Sequence, residues 1–429
     1  MDADARLLII GNGCAGTELA FSARAGGWMG PIMLIGDEAH EPYHRPPLSK
    51  AYLMGAAQQT SLSLRGSAAY TTARITSLPR HRAVAIHRSR NQVELADGRQ
   101  LPYDRLVLAL GGRPRPLPFM TQHAGTPPRN LHYLRTHDDA IQLRDSLHPG
   151  RCAVIIGAGY IGLEVAAAAI KAGMQVIVLE GGPRVLGRVT GAPVAAFYEA
   201  LHRNAGVDIR TAVQVQSFEL AHDGAIANVV CADGTRLRCD LVVAGIGLLP
   251  NSELAATAGL DVEDGILVDA QLRTSDPAIM AIGDCARWFS PLYQRSVRIE
   301  SVPNALEQAR KVAALLCGKT PRLDAAPWFW SDQYDVSLKT VGLSQGYDRL
   351  VIRGQPQAKD FSAFYLLGKR ILAVDTLNRA LEFNVCKPII AQALEVDVEA
   401  LADETIPLKS LIAAASLPAP APVPPHTGA

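Results

Sequence analysis

A strand, a glycine-rich turn, a helix, a second strand and an acid occur in that order twice in this chain. That repetition constrains the fold more than any other feature. The first copy runs through the apolar stretch Leu7-Leu8-Ile9-Ile10, the turn Gly11-Asn12-Gly13-Cys14-Ala15-Gly16, a helical run from Thr17 to Ala25 stopped by Gly26-Gly27, and Ile32-Met33-Leu34-Ile35 ending at Gly36-Asp37. The second runs through Val154-Ile155-Ile156, the turn Gly157-Ala158-Gly159-Tyr160-Ile161-Gly162, a helical run from Leu163 to Ala172 closed by Gly173, and Val176 to Leu179 ending at Glu180. Each glycine has a physical task. The first permits a tight turn, the second lets the backbone approach a pyrophosphate, and the third lets helix and strand pack closely. The pyrophosphate rests on N–H groups at the helix N-terminus, where the dipole favours negative charge. Asp37 lies 21 residues beyond Gly16 and Glu180 lies 18 beyond Gly162, near the spacing of a ribose-binding carboxylate. One such pattern is a weak signal; two imply two dinucleotides bound at once.

The chain has 429 residues, more than one core usually holds, so two or three domains are expected. A hydrophobic content of 48% and a charged content of 19% suit a globular α/β protein. A formal net charge of +1 points to neither nucleic acid nor an anionic membrane surface as partner. No apolar run approaches the roughly 20 residues of a membrane helix. The N-terminal Met1-Asp2-Ala3-Asp4 is neither a signal nor a basic transit peptide, so a cytoplasmic location is expected. The seven cysteines are scattered, with no CxxC and no zinc spacing, and read as buried free thiols; no metal site is expected.

Between and after the two repeats the chain reads as follows. Pro42-Tyr43-His44-Arg45-Pro46-Pro47-Leu48-Ser49-Lys50 is a stiff, irregular loop that presents Arg45 and Lys50. Residues 51–105 read as an insertion with a short helix and several strands, Asp97-Gly98 marking one turn. Leu106 to Leu110 is a buried strand, and Thr136-His137-Asp138-Asp139 is a capping box opening a helix. Leu241 to Gly245 is another strand, and Ile279 to Ile282 leads into Gly283-Asp284, a carboxylate at a strand's carboxyl end where ligands bind. Asn304 to Leu316 is a helix. From Pro327 the chain turns aromatic and β-rich, with strands near Val336–Val341, Leu350–Arg353, Phe361–Leu367 and Ile371–Thr376, then a helix over Glu382–Leu394. The tail from Leu417 is proline and alanine and reads as disordered.

With the loop PYHRPPLSK, the late Gly-Asp, and the segments from Arg298 to Arg310 and from Pro327 to Tyr334, the chain resembles the FAD-dependent ferredoxin reductases of bacterial Rieske oxygenases and haem monooxygenases. The resemblance runs from about Leu7 to Ala415. It implies an α/β fold of two Rossmann-like dinucleotide-binding domains plus an α+β C-terminal domain. The FAD domain would be split, residues 1–113 and 248–325; the NADH domain would span 114–247 and the C-terminal domain 326–416, with 417–429 as tail. FAD would lie on Gly11, Gly13, Cys14, Ala15 and Gly16, with Asp37 at its ribose, Arg45, Pro46 and Lys50 along the pyrophosphate and isoalloxazine, Ala109 and Asp284 beside it, and Val302 and Trp330 near the ring. NADH would lie on Gly157, Gly159, Tyr160, Ile161 and Gly162, with Glu180 at its ribose. The resemblance also puts Lys50 against Glu164, giving Lys50, Glu164 and Trp330 the catalytic roles; the plainer alternative for Glu164 is a carboxylate complementing a helix dipole. Two departures stand out. The chain has Ala109-Leu110-Gly111 where the family has Ala-Thr-Gly, and Cys14 leaves open a reactive thiol beside the pyrophosphate.

The implied chemistry is hydride acceptance from NADH by a flavin that releases electrons singly. The loop Pro42–Lys50 holds no cysteine, and Cys231 and Cys239 flank a turn elsewhere, so no redox disulfide is expected. No cysteine quartet is present, so an iron–sulfur cluster must sit on a partner. That partner is expected to be an acidic [2Fe–2S] ferredoxin docking near Arg65, Arg310, Lys311, Lys339, Lys387 and Lys409. The alternative is an NADH-sensing interaction protein like apoptosis-inducing factor.

Overall fold

The computed structural model describes residues 5–120, 126–321 and 325–412, so the tail expected to be disordered lies outside the described residues. The first glycine turn sits at the centre of a five-stranded parallel sheet in the order Ile279–Ala281, Arg105–Leu108, Leu7–Ile10, Ile32–Ile35, Ile75–Leu78. All four residues of Leu7–Ile10 are buried, as a parallel strand covered on both faces must be. On one face the helix Cys14–Gly26 packs on the helix Val302–Leu316 through Leu19, Ala20, Ala23, Ala305, Ala309 and Ala313. The other face is closed by Val93, Leu95 and Tyr103 from an antiparallel meander spanning residues 83–102 and its exit.

The second turn sits in a like sheet, in the order Asp208–Arg210, Gln175–Leu179, Cys152–Ile156, Leu241–Ala244, Leu131–His132. The helices Tyr160–Lys171 and Ala192–Asn204 pack against one face. Ile226, Val229 and Leu237 of a three-stranded antiparallel sheet cover the other. A third, antiparallel sheet follows in the order Trp328–Gln333, Val336–Gly342, Arg370–Leu377, Asp360–Leu367, Arg349–Gln355. Its strand Asp360–Leu367 shows the two-residue period directly. Phe361, Ala363 and Tyr365 join the core around the second glycine helix, whereas Phe364 and Leu366 join a core under the helix Ala380–Ala391.

Three expectations need adjustment. Ile75–Leu78 is no insertion strand but the edge of the first parallel sheet, paired with Ile32–Ile35. At four residues, with Thr76 exposed, it carries no pattern that distinguishes it from a meander strand. Trp328–Gln333 is itself an edge strand. The last helix starts two residues early and stops at Ala391, with Pro388 inside its final turn. No helix among the described residues is long and apolar enough to cross a membrane.

Candidate functional site

Both glycine turns open on one cavity of about 1460 Å³, lined from all three large sheets. That exceeds the ~300–1,000 Å³ of a pocket for one small ligand. The glycines divide their work. Gly11 and Gly157 have φ of 108° and 102°, and a Cβ on either would strike a backbone oxygen, Ala109 O at 2.1 Å and Gly245 O at 2.5 Å. A Cβ on Gly16 would lie 1.9 Å from Gly11 O, and one on Gly162 2.0 Å from Gly157 O. Gly13 and Gly159 meet nothing within 4 Å. The middle glycines thus border open space and the others shape the turn. Each middle glycine is also the N-cap of its helix, without a side-chain cap or an acid in the first turn. The leading N–H groups are therefore left for an anionic ligand, and the site fits two dinucleotide pyrophosphates. Gly16 and Gly162 lie beneath the turns, in the close-packing role expected of the third glycine, whereas Gly13, Cys14, Ala15, Gly159, Tyr160 and Ile161 line the cavity.

Two acids follow the strand Ile32–Ile35. Asp37 is exposed on the cavity wall. Glu38 is engaged, receiving the Tyr43 hydroxyl and the Arg45 guanidinium. Arg45 also donates to the Arg135 carbonyl at 2.7 Å, so it is held in place beside Pro46 on the cavity wall. Arg135 in turn donates to Asp284 Oδ2 at 2.9 Å. Burial and, next, the Asp284 charge push the Cys14 thiol up to about 11, against the opposing pull of Arg45 and Arg135. A shift in that direction favours the neutral thiol near pH 7 and argues against a reactive Cys14. At the Ala109-Leu110-Gly111 departure, Asn251 Nδ2 donates to the Leu110 carbonyl at 2.9 Å, and the Leu110 side chain packs on the neighbouring core. Glu180 accepts from Ala158 N at 2.8 Å and from Gly182 N at 2.7 Å, pinning the second turn while still lining the cavity.

Between the two turns lies Glu164, on the first turns of the second glycine helix and 3% exposed. Lys50 Nζ is 2.8 Å from its Oε1. The pairing of Lys50 with Glu164 therefore exists, and the dipole-only alternative does not hold. Ser49 also donates to Glu164, and Ser331 does so at 2.6 Å, so three segments far apart in sequence meet on one buried carboxylate. Behind Ser331 a polar chain continues inward. Gln333 Nε2 donates to Ser331 Oγ at 3.1 Å, Gln333 Oε1 lies 2.8 Å from His202 Nε2, and Tyr334 Oη lies 3.1 Å from His202 Nδ1. Because the Gln333 amide oxygen only accepts, His202 carries its proton on Nε2 and Tyr334 donates to Nδ1. Every donor in the chain then points toward Glu164.

The cavity's far wall is aromatic. Phe329 packs on Tyr160 with centroids 4.5 Å apart, and Trp330 lines the space beside them with Val302, Ala109 and Asp284. Just outside, Lys387 Nζ sits 4.4 Å from the Trp328 ring centroid and 4.2 Å from that of Phe383, which also carries Lys339 Nζ at 5.3 Å. Two of the other expected docking cations share one acid. Arg310 Nε pairs with Glu18 at 2.6 Å and Arg65 reaches the same acid at 3.8 Å, while Lys409 is exposed. Cys231 and Cys239 are buried free thiols that do not line the cavity. Neither Arg135, Ser49 nor the Ser331–Gln333–His202 chain was expected from the sequence. The only local signal was the position of Arg135 just before a capping box, which says nothing of its partner.

Residues 5–309 match the pyridine nucleotide-disulphide oxidoreductase family and residues 328–412 the reductase C-terminal family. The chain is 58% identical over 416 residues to putidaredoxin reductase of Pseudomonas putida, covering 97% of this chain and 98% of that protein. It is 42% identical to rhodocoxin reductase of Rhodococcus erythropolis, covering 95% and 94%. Among solved structures, the covalent putidaredoxin reductase–putidaredoxin complex superposes with a TM-score of 0.93 at 57% identity, over 96% of this chain and 98% of that one. Two complete glycine turns, a shared cavity and full-length similarity agree: the chain belongs to the pyridine nucleotide-disulphide oxidoreductase family, in the form that carries a reductase C-terminal domain.

Proposed function

We propose that this chain is a ferredoxin reductase of an oxygenase system, taking electrons from NADH through FAD to a [2Fe–2S] ferredoxin. The observation that carries this is the single cavity joining both glycine turns, with the Lys50–Glu164 pair between them. FAD, when bound, supplies hydride acceptance and single-electron release. The chain's own residues bind, orient and shield. Residues 1–113 and 248–325 form the FAD domain, with the first pyrophosphate on Gly13, Cys14 and Ala15, a ribose on Asp37, and Asp284, held by Arg135, along the rest of the dinucleotide. Residues 114–247 form the NADH domain, with Gly159, Tyr160 and Ile161 at the pyrophosphate and Glu180 at the ribose. With the flavin bound, the Lys50 ammonium would supply positive charge beside it, and Glu164 fixes where that ammonium sits. The C-terminal domain from residue 326 would cover the ring, where Trp330, Phe329 and Val302 would exclude water. A redox disulfide would need a cysteine pair at the ring, and neither Cys231 nor Cys239 lines the cavity.

The partner reading follows from the relatives. Named relatives include several ferredoxin reductases, and one solved relative is held with putidaredoxin. These favour electron delivery over an NADH-sensing interaction protein. Of the expected docking cations, Lys339 and Lys387 fit best, because Lys387 lies on the Trp328 ring, Lys339 lies on the adjoining Phe383 ring, and the Trp328 ring is 5.7 Å from that of Trp330. Arg65 and Arg310 share Glu18 and have part of their charge cancelled. A cytoplasmic setting suits this reaction. The test is NADH-driven reduction of an acidic [2Fe–2S] ferredoxin over a range of salt. Lys339→Gln with Lys387→Gln should slow ferredoxin reduction and flatten its salt dependence, while NADH–ferricyanide activity persists. Equal loss of both activities would move these lysines from docking to support of the site.

A further inference from the structure

The loop after the strand Ile32–Ile35 meets the start of the helix His137–Ser146 at three groups of metal-ligating type, His40, His137 and Asp138. None belongs to the dinucleotide cavity. His40 Nε2 lies 2.7 Å from Asp138 Oδ1 and 3.3 Å from His137 Nδ1, and one ligand atom from each residue lies within 4.8 Å of the others. With zinc–nitrogen bonds near 2.0–2.1 Å, a tetrahedral site spaces its ligand atoms by about 3.3 Å. The cluster therefore has nearly the dimensions of a loaded site.

Proton counting points the same way. His40 Nε2 faces both a carboxylate oxygen and a ring nitrogen, and carries at most one proton. If that proton goes to Asp138, nothing is left to bind His137 Nδ1. If instead Nε2 accepts from His137, its lone pair faces the carboxylate. A cation in the middle satisfies all three at once. His137 is prepared as a ligand. It is 1% exposed, and its ring is held by His40, Tyr52 and Tyr43 with centroids at 4.4, 5.0 and 5.7 Å. Its Nε2 is buried without a hydrogen-bond partner among the described residues, so that atom can hold the ring proton and leave the Nδ1 lone pair toward the cluster. A cavity of about 80 Å³ opens beside the two imidazoles, and Glu41, Gln59 and Ser63 line it. That leaves room for a water or a fourth oxygen ligand.

We propose that His40, His137 and Asp138 form a site for a divalent transition-metal ion of the zinc type. Two imidazoles and one carboxylate select such ions over calcium or magnesium, which prefer all-oxygen shells. The ion ties the loop to the helix at the edge of the electron-transfer site. Tyr43, between His40 and Arg45 in the loop, receives the His137 backbone N–H at 2.9 Å and gives its own proton to Glu38, the partner of Arg45. Metal loading therefore stiffens the segment that positions Arg45.

The test uses the FAD-loaded full chain, stripped with a chelator and dialysed against Zn²⁺, with metal content measured per chain. Wild type should take up one equivalent, and diffraction at the zinc edge should place the anomalous peak among His40, His137 and Asp138. His40→Gln and Asp138→Asn, both at least partly exposed and so tolerated by the fold, should each lose that equivalent with FAD content and circular dichroism unchanged. A wild type that takes up no zinc, variants that retain the equivalent, or an anomalous peak elsewhere would each overturn the proposal.

Discussion

Replacing Lys50 by Met gives the sharpest quantitative test of how the site is held. The Glu164 side chain is 2% exposed and that of Lys50 19%. Removing the ammonium leaves a buried carboxylate with only the Ser49 and Ser331 hydroxyls as donors. Breaking a buried pair by deleting one partner costs about 3–5 kcal/mol, and the residual exposure of Lys50 brings the expectation to about 2–4 kcal/mol. With an unfolding entropy near 2.1 cal/mol/K per residue, this lowers Tm by about 2–4 °C for unfolding of the whole chain. Glu164→Gln should cost a similar amount, because it strands the ammonium. The double variant leaves neither charge unpaired. It should therefore cost less than the two singles together, with a coupling of about 1–3 kcal/mol. The assay is thermal unfolding of the FAD-loaded protein, followed by circular dichroism and flavin fluorescence, on all four members of the cycle. Effects that add to within about 0.5 kcal/mol would refute the reasoning, since independent sites behave that way.

Three further expectations can be checked with the same preparations. Glu180→Ala should lower kcat/KM for NADH by about 10–100-fold, the worth of a charge-assisted hydrogen bond, and narrow the preference over NADPH; comparable efficiency of the wild type with both coenzymes would remove Glu180 from the ribose. Asp375, buried with only the Thr340 and Tyr365 hydroxyls as donors, is pushed up from 3.8 to about 6, chiefly by burial. Because the folded value is the higher one, its contribution is most favourable below pH ~4 and falls by roughly 3 kcal/mol as pH rises to ~6. Urea unfolding at several pH values should show Asp375→Asn without this slope, and an unchanged slope would place the titration elsewhere. Replacing Cys231 and Cys239 together by Ser should leave ferredoxin reduction nearly unchanged at full FAD content, and a large loss there would restore a role for thiols in electron transfer.

The glycine turns were legible because their constraints are local. A positive φ at Gly11 and the approach of Gly16 to Gly11 O depend on residues within one turn, and the spacing alone encodes them. The Lys50–Glu164 pair was legible only through resemblance. What stayed hidden is long-range polar pairing. Ser49 and Ser331 reach Glu164 across 115 and 167 residues, and Arg135 reaches Asp284 across 149. No periodicity links such positions. His40 and Asp138 likewise meet across 98 residues, far beyond any ligand spacing along the chain. Edge strands failed differently. Ile75–Leu78 is too short and too exposed for its pattern to declare its sheet.

The central claim is that one cavity carries electrons from NADH to a one-electron partner without a thiol. The most direct measurement is a double-mixing stopped-flow experiment on the FAD-loaded protein. NADH is added first at one equivalent, and the flavin band is followed as it bleaches. An acidic [2Fe–2S] ferredoxin is added second, and both chromophores are followed. The account predicts that the flavin band returns as two ferredoxins are reduced per NADH, with the same outcome in the Cys231→Ser/Cys239→Ser variant. A flavin that bleaches and then stays reduced in the presence of excess ferredoxin would contradict it.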